Sequence, residues 1–597
     1  MKKYILILSI IFTSSSLFSQ YWGERVTEQS FEQSDLYFTS YYLNTFGLYR
    51  FREVSVGLVE DAFLDLFLNP AKLPHLPKGN LLHLDFRGDR TPVPISDSYG
   101  IYPVLDQSNF FAPIYIDPRW YNSSRRDPEP VFSVGFLSYL KDPKSQKVFF
   151  GGTYQLIYKQ ENFYTMPSWI YFSRFGYDVF GNQVSSFYNY PVQDRYSGKD
   201  EMLHQGHLFS AFLGTRINSK ISLGISANGV VQARDGIYQN SQNDEYGSIN
   251  DYDWRFLNEI QRKQDYHHID LAAGLEYNFR PDFTLGIKVG NLDGTADQEY
   301  RTVYYSEYAY QDRYLPENSG SSFNDSYTQQ SWEQKGRNWY GSINLTKILE
   351  DQNQVNFYYR YTTSDIDHNN QSQITDTSFY ESNWRGDTLL YQSLYESSLK
   401  DYRNGFGTKH LNWHQVLLNL RFKLNQKSSL SLGFYYSHKK SEIRSTEPAL
   451  IERSSEHQEN SPYDWTHYLF EDKILDWNYN SIEWSLQIPL IFDFYLSPQW
   501  SLSIGVNKIL QNWKIEDETV AYFTTRERLE NDSLRVETDF AERYREPAQK
   551  ITDEFTDLIC KIAVNIAPTS QVQLLINPEF HDSFRIAQWW LVFRTSL

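Results

Sequence analysis

Residues 481–496 read SIEWSLQIPLIFDFYL. Taken two at a time, Ile482, Trp484, Leu486, Ile488, Leu490, Phe492, Phe494 and Leu496 share one face and are all apolar. Glu483, Ser485, Gln487 and Asp493 fall on the other. A period of two is that of a strand, not a helix. At roughly 3.3 Å per residue the stretch spans about 50 Å, enough to cross a bilayer obliquely and project beyond it. A soluble sandwich rarely needs so long a strand with one face wholly apolar.

The same plan recurs from about residue 130: an alternating segment, a tight turn, a second alternating segment, then a long polar stretch. HLFSAFLGTRI, NSK and ISLGISANGVVQA form one such unit at 207–233, and IDLAAGLEYNF, RPD and FTLGIKVGN another at 269–291. QVLLNLRFKL, NQK and SSLSLGFYYSH follow at 415–438, and LICKIAVNI, APTS and QVQLLIN at 558–577. Asn, Pro, Asp, Ser and Lys at the short connections are hairpin chemistry. The long polar stretches, such as DIDHNNQSQITDTSFYESNWRGD at 365–387, read as loops. Short turns on one rim and long loops on the other is the asymmetry of outer-membrane barrels. With NLLHLDF at 80–86 and a C-terminal strand, AQWWLVFRTSL at 587–597, the count is about 16 strands, or 14 if the weakest fail. The expected fold is an all-β, transmembrane antiparallel barrel over 80–597, its last strand pairing with its first so that no sheet edge is left.

Composition agrees with that class. The chain has 597 residues, formal charge −18, 40% hydrophobic residues, 17% aromatics and 47 tyrosines. Mean hydropathy is −0.58. A barrel strand needs only one apolar face, so such polarity fits a membrane protein of this kind. The acidic balance argues against nucleic-acid partners. The single cysteine, Cys560, excludes an intramolecular disulfide. At the N-terminus, Lys2 and Lys3, an apolar run from Tyr4 to Phe12 and small residues up to Ser19 have the form of a secretory signal peptide over 1–19. Export leads to the outer membrane of a two-membrane bacterium, with lipid as surroundings. The closing strand resembles the signal that such proteins present to the barrel-assembly machinery, with Trp589 and Phe593 as its aromatic residues and Leu597 last.

Between the signal and the barrel, residues 20–79 include GLVEDAFLDLFLNPAKL at 57–73. Val59, Phe63, Leu66 and Phe67 recur at helical spacing, and Pro70 should stop the helix by Asn69. Gly57 and Pro70 bracket the predicted helix. The segment resembles the N-terminal region of the FadL-like long-chain fatty-acid transporter superfamily, where small and acidic residues precede an Asn-Pro-Ala motif. Asn69, Pro70 and Ala71 match that motif. The resemblance implies a hatch folded inside the barrel, in a family whose barrel has 14 strands. Similar motifs occur in PorV-like barrels of Bacteroidota, which take part in protein secretion.

No catalytic or cofactor signature is found: G-x-S-x-G, H-E-x-x-H, G-x-x-x-x-G-K-[ST] and G-x-G-x-x-G are all missing from the sequence. His204 and His207 are three apart, on opposite faces of a strand, which disfavours a joint metal site. Asp365, Asp367 and Asn369, like Asp293 and Asp297, are expected in loops without the spacing of a calcium loop. If the apolar rows face lipid, the opposite rows place Arg216, Asp270, Glu276, Lys288, Arg360, Arg421, Lys423, Glu483, Asp493, Lys561 and Arg594 in the lumen. There mixed charges are tolerated, whereas facing lipid each would cost several kcal/mol. Two classes of function follow. One is a passive channel or transporter for a small solute, hydrophobic ones included; the other is a non-transporting surface or secretion-associated barrel whose aromatic, acidic loops bind glycans or proteins.

Overall fold

The computed structural model describes residues 58–75 except 60, 80–89, 130–140, 148–173, 176–177, 183–184 and, apart from short stretches, 192–596. The expected signal peptide, residues 20–57 and Leu597 lie outside them.

A ring of 16 strands in one antiparallel sheet forms the molecule, so the count of 14 falls away. In chain order they are β1 (Leu81–Asp89), β2 (Phe132–Leu140), β3 (Val148–Ser173), β4 (Val192–Arg216), β5 (Ile221–Gly247) and β6 (Asn250–Arg280). Then come β7 (Phe283–Asp312), β8 (Ser319–Ile348), β9 (Gln354–Arg385), β10 (Leu390–Asn425) and β11 (Ser428–Glu459). The series ends with β12 (Trp465–Tyr495), β13 (Trp500–Glu530), β14 (Gln549–Ala567), β15 (Ser570–Phe580) and β16 (Phe584–Ser596). Strand β16 pairs with β1 from Leu81 opposite Ser596 to Asp89 opposite Gln588, and this seam closes the ring. A further strand, Ser533–Arg545, pairs with the far half of β13, whose near half pairs with β14.

The opening stretch lies in β12 with the expected polarity. Trp484 and Leu490 are exposed on the outside, while Ser485, Gln487 and Ile491 are buried on the inside. The outward apolar row continues around the ring through Leu223 and Ile225, Ile269 and Leu271, Val289, Ile343, Phe434, Ile504, Leu574 and Leu591. A closed sheet whose outer face is apolar at one level satisfies its own backbone and offers lipid only hydrocarbon. The fold is a membrane-spanning barrel. Among the described residues no helix is long and apolar enough to cross a membrane.

The long polar stretches depart from expectation. Asp365–Arg385, read as loop, is the far half of β9, paired along its length with β8 and β10. Asp293 and Asp297 likewise lie within β7. Strand β10 reaches 36 residues, against the roughly 10 that cross a bilayer. Beyond the lipid both faces of these strands are polar, so hydrophobic alternation disappears while the backbone ladder continues.

Candidate functional site

Inside the short-turn end of the ring sits α1 (Ala62–Leu68), followed by a 3₁₀ turn, Pro70–His75. Asp61, not Gly57, starts the helix. Its carboxylate accepts from the Phe63 and Leu64 N–H groups at 3.0 Å, leaving Val59 outside. Asn69 is extended, as a residue before proline must be, and ends the helix. Its side-chain oxygen accepts from Ala71 N–H at 3.0 Å, which starts the turn, and its amide donates to the Leu275 carbonyl of β6 at 3.0 Å.

The apolar side chains of this segment need cover on every side. Phe63, Leu64, Leu66, Phe67, Leu68 and Leu73 join one cluster with inward side chains of β2, β4, β10, β11, β12, β14, β15 and β16. Phe67 meets Phe212 edge to face with centroids 5.3 Å apart, and Phe63 meets His83 at 5.4 Å. The cluster therefore reaches across the lumen. On the β5 and β6 side the turn lies against bare backbone. A Cβ on Gly274 would sit 2.0 Å from the Asn69 side-chain oxygen, and one on Gly224 2.3 Å from the Pro70 carbonyl. Only glycine lets the wall approach so closely.

Charged side chains tie the same segment to the wall. Lys288 donates to the Phe67 carbonyl at 2.8 Å, at the C-terminal end of α1 where a cation is favoured. Arg216 donates to the Pro74 carbonyl at 2.6 Å, and His75 contacts Ser222 at 2.7 Å and Glu276 at 3.4 Å. The other oxygen of Asp61 pairs with Arg594 of β16. Arg594 Nε donates to His83 Nδ1 at 3.0 Å, which leaves the proton of a neutral His83 on Nε2, facing Asp85 at 2.9 Å. Asp85 accepts from Arg87 at 3.0 and 3.1 Å, and Arg87 lies 5.0 Å over the Trp590 ring. One polar chain thus runs from the segment through both strands of the seam.

Of the residues expected in the lumen, Arg216, Glu276, Lys288 and Arg594 meet at this segment. Asp270 lies four residues farther from the turn rim than Gly274, accepting from Asn228 at 3.0 Å and from the Tyr340 hydroxyl at 2.8 Å. Arg360 lies 4.3 Å over the Tyr340 ring. Asp493 accepts from Ser429 at 3.2 Å and Ser503 at 2.5 Å, and Glu483 stands 3.8 Å from Lys439. Lys423 is exposed at the turn rim and Arg421 is half-buried. Asp61, His83, Asp85 and Arg87 were missed by sequence reasoning. Their signals are an Asp directly before an apolar run and a polar face in LLHLDFRGD, but their partner Arg594 is more than 500 residues away. His204 is buried inside while His207 faces out against Tyr154, 3.0 Å from its hydroxyl.

The sequence matches no known protein-family profile and no curated protein. Among solved structures the barrel is similar to the CymD monoaromatic hydrocarbon channel, at 10% identity and TM-score 0.26 over 68% of this chain and 96% of that one. It is similar to the P. putida toluene transporter TodX, at 8% identity and TM-score 0.23 over 65% and 92%. A Pseudomonas aeruginosa FadL homologue aligns at 9% identity and TM-score 0.26 over 94% and 99%.

Proposed function

We propose that the protein is a passive transporter of a small solute in the bacterial outer membrane, held shut at its periplasmic end by the segment from Leu58 to His75. The observation that carries this reading is the apolar cluster around α1, which reaches across the lumen from β2 and β4 to β10, β11 and β12 and to β14, β15 and β16, while the turn after it lies on β5 and β6. A segment that merely supported one wall would not need to reach the others. Its berth is also releasable. Asn69, Pro70 and Ala71 rest on glycine backbone, and away from the Asp61–Arg594 pair the polar ties are single hydrogen bonds with Arg216, Lys288 and Leu275 and the contacts of His75 with Ser222 and Glu276. In this reading Asn69–Ala71 is the hatch motif, and opening means lifting the turn from β5 and β6.

Conductance across a planar bilayer tests it. The native protein should hold a low current. Gly274→Val, which forces a side chain against Asn69, should raise the current at least severalfold while the barrel keeps its heat resistance in detergent. Equal, negligible currents from both would favour a sealed scaffold. That second reading has its own observation, the exposed stack of Trp384 on Tyr391 at the tip of the β9–β10 hairpin, with centroids 5.5 Å apart. Such a flat, wet aromatic surface suits glycan or protein contact.

A further inference from the structure

Strands β7 to β9 distribute charge unevenly between their faces. On β8 every buried inward residue from Thr328 to Asn344 lacks a formal charge. The same holds on β7 from Gly290 to Tyr300, and on β9 from Thr362 to Ile374, where His368 is the one basic side chain. The outward faces at the same levels carry Asp293, Asp297, Glu299, Glu333, Lys335 and Arg337. Folding does not force this neutrality. Elsewhere the interior holds buried charge in pairs, with Arg403 2.6 Å from Asp401 and Lys473 2.9 Å from Glu471. Among the described residues the neutral inner wall is shared with β5 from Ser222 to Gln232, and on β7 to β9 it spans three adjacent strands.

Its polar groups are also unspent. Gln298 is 6% exposed and Gln330 0%, yet neither amide has a hydrogen-bond partner for its oxygen or nitrogen among the described residues. The Ser372 and Thr302 hydroxyls nearby are in the same condition. A buried amide left unpaired costs about 1–3 kcal/mol, so it calls for an explanation. Register supplies one. Gln298 stands opposite Trp332, and Tyr300 stands opposite Gln330, so amides and aromatic faces form a two-by-two checkerboard. An amide offers one donor group and one acceptor, which is what a hydroxyl group needs. An aromatic face takes the C–H side of a sugar ring.

We propose that this checkerboard on β7 and β8 is a binding site for a neutral, polyhydroxylated solute, an oligosaccharide, on its way through the barrel. The assignment rests on the transporter reading for its purpose, and it narrows the solute class away from hydrocarbons. A hydrocarbon would leave both amides unpaired, and the discrimination expected of a site built to hydrogen-bond is large.

Binding and conductance are measured separately, so that the two readings can fail separately. The full-length protein in detergent is titrated with a panel of neutral hexasaccharides (α-1,4-, β-1,4- and β-1,3-linked glucose, β-1,4-linked xylose and mannose) and with toluene, read by tryptophan fluorescence and calorimetry. At least one hexasaccharide should bind, with a dissociation constant unchanged between low and high salt because no ion pair is involved. Gln298→Ala with Gln330→Ala should weaken it at least tenfold, and Trp332→Phe should reduce the fluorescence change. Gln329→Ala, on the outward face of β8, should leave it unchanged and controls for folding. Failure of every sugar to bind, or binding that ignores the double variant, overturns the site. Toluene binding sensitive to the double variant overturns it too. Sugar binding by a protein whose Gly274→Val variant carries no current would leave the site standing and overturn the transporter reading.

Discussion

Asp61 performs two tasks with two oxygens: one caps α1 and the other pairs with Arg594. The tasks separate by substitution. Asp61→Asn keeps a good cap and loses the charge, whereas Asp61→Ala loses both and leaves the Arg594 guanidinium without its carboxylate. Breaking a buried pair from one side costs about 3–5 kcal/mol, and a lost cap about 1 kcal/mol more. Thermal unfolding in detergent should rank native above Asn above Ala; identical midpoints for the two variants would remove the cap from the account. At this scale legibility follows distance along the chain. Asn69, Pro70 and Ala71 could be read because proline chemistry and helix stops are local. The inward side of Arg216, Glu276 and Lys288 could be read because strand period fixes a face. That these side chains end on the Pro74 and Phe67 carbonyls and on His75 could not, since nothing local records a contact across a lumen.

At the scale of elements, the near half of each strand was legible and the far half was not. In β12, Leu486 faces lipid while its neighbour Ser485 is buried inside. Leu486→Arg should cost about 2–4 kcal/mol of folding into a bilayer, more than Ser485→Arg, whose long side chain can reach the polar interior. Equal folding yields in lipid vesicles would mean that the faces are reversed. Beyond the lipid the ladder is held by side chains that no hydrophobic pattern marks. The strand Ser533–Arg545 stacks Phe540 on Phe523 at 4.6 Å and pairs Glu542 with Arg526 at 2.6 Å. The Arg526 guanidinium pulls the Glu542 carboxyl down to about 2, from a usual 4.5. A carboxyl with a depressed folded-state pKa contributes stability that is complete above the unfolded value and is lost as pH falls towards the folded one. Amide exchange in Ser533–Arg545 should therefore accelerate relative to β13 between about pH 4.5 and 2, and Glu542→Gln should flatten that dependence. An unchanged pH profile in the variant would assign the acid sensitivity to another group.

At the scale of the whole molecule, the alternation of short and long connections made the ring and its 16 strands countable, because each hairpin turn is local and the parity of turns fixes both rims. The inner segment has two attachments of different kinds. At Asp61 it is tied to Arg594, and through His83, Asp85 and Arg87 to both strands of the closing seam. At Asn69–Ala71 it lies on Gly224 and Gly274 of β5 and β6, several strands around the ring. The seam is the one place where the ends of the described chain must find each other, so weakening it should weaken closure itself. The glycine berth carries no such duty. Gly224→Val should therefore release the turn, raise bilayer conductance and leave the heat resistance of the barrel intact. Arg594→Ala should instead lower the temperature at which the barrel loses its compact mobility in detergent, because Asp61 and His83 both lose their partner. Were the two variants to change the same observable, heat resistance alone or conductance alone, the inner segment would have one attachment of one kind.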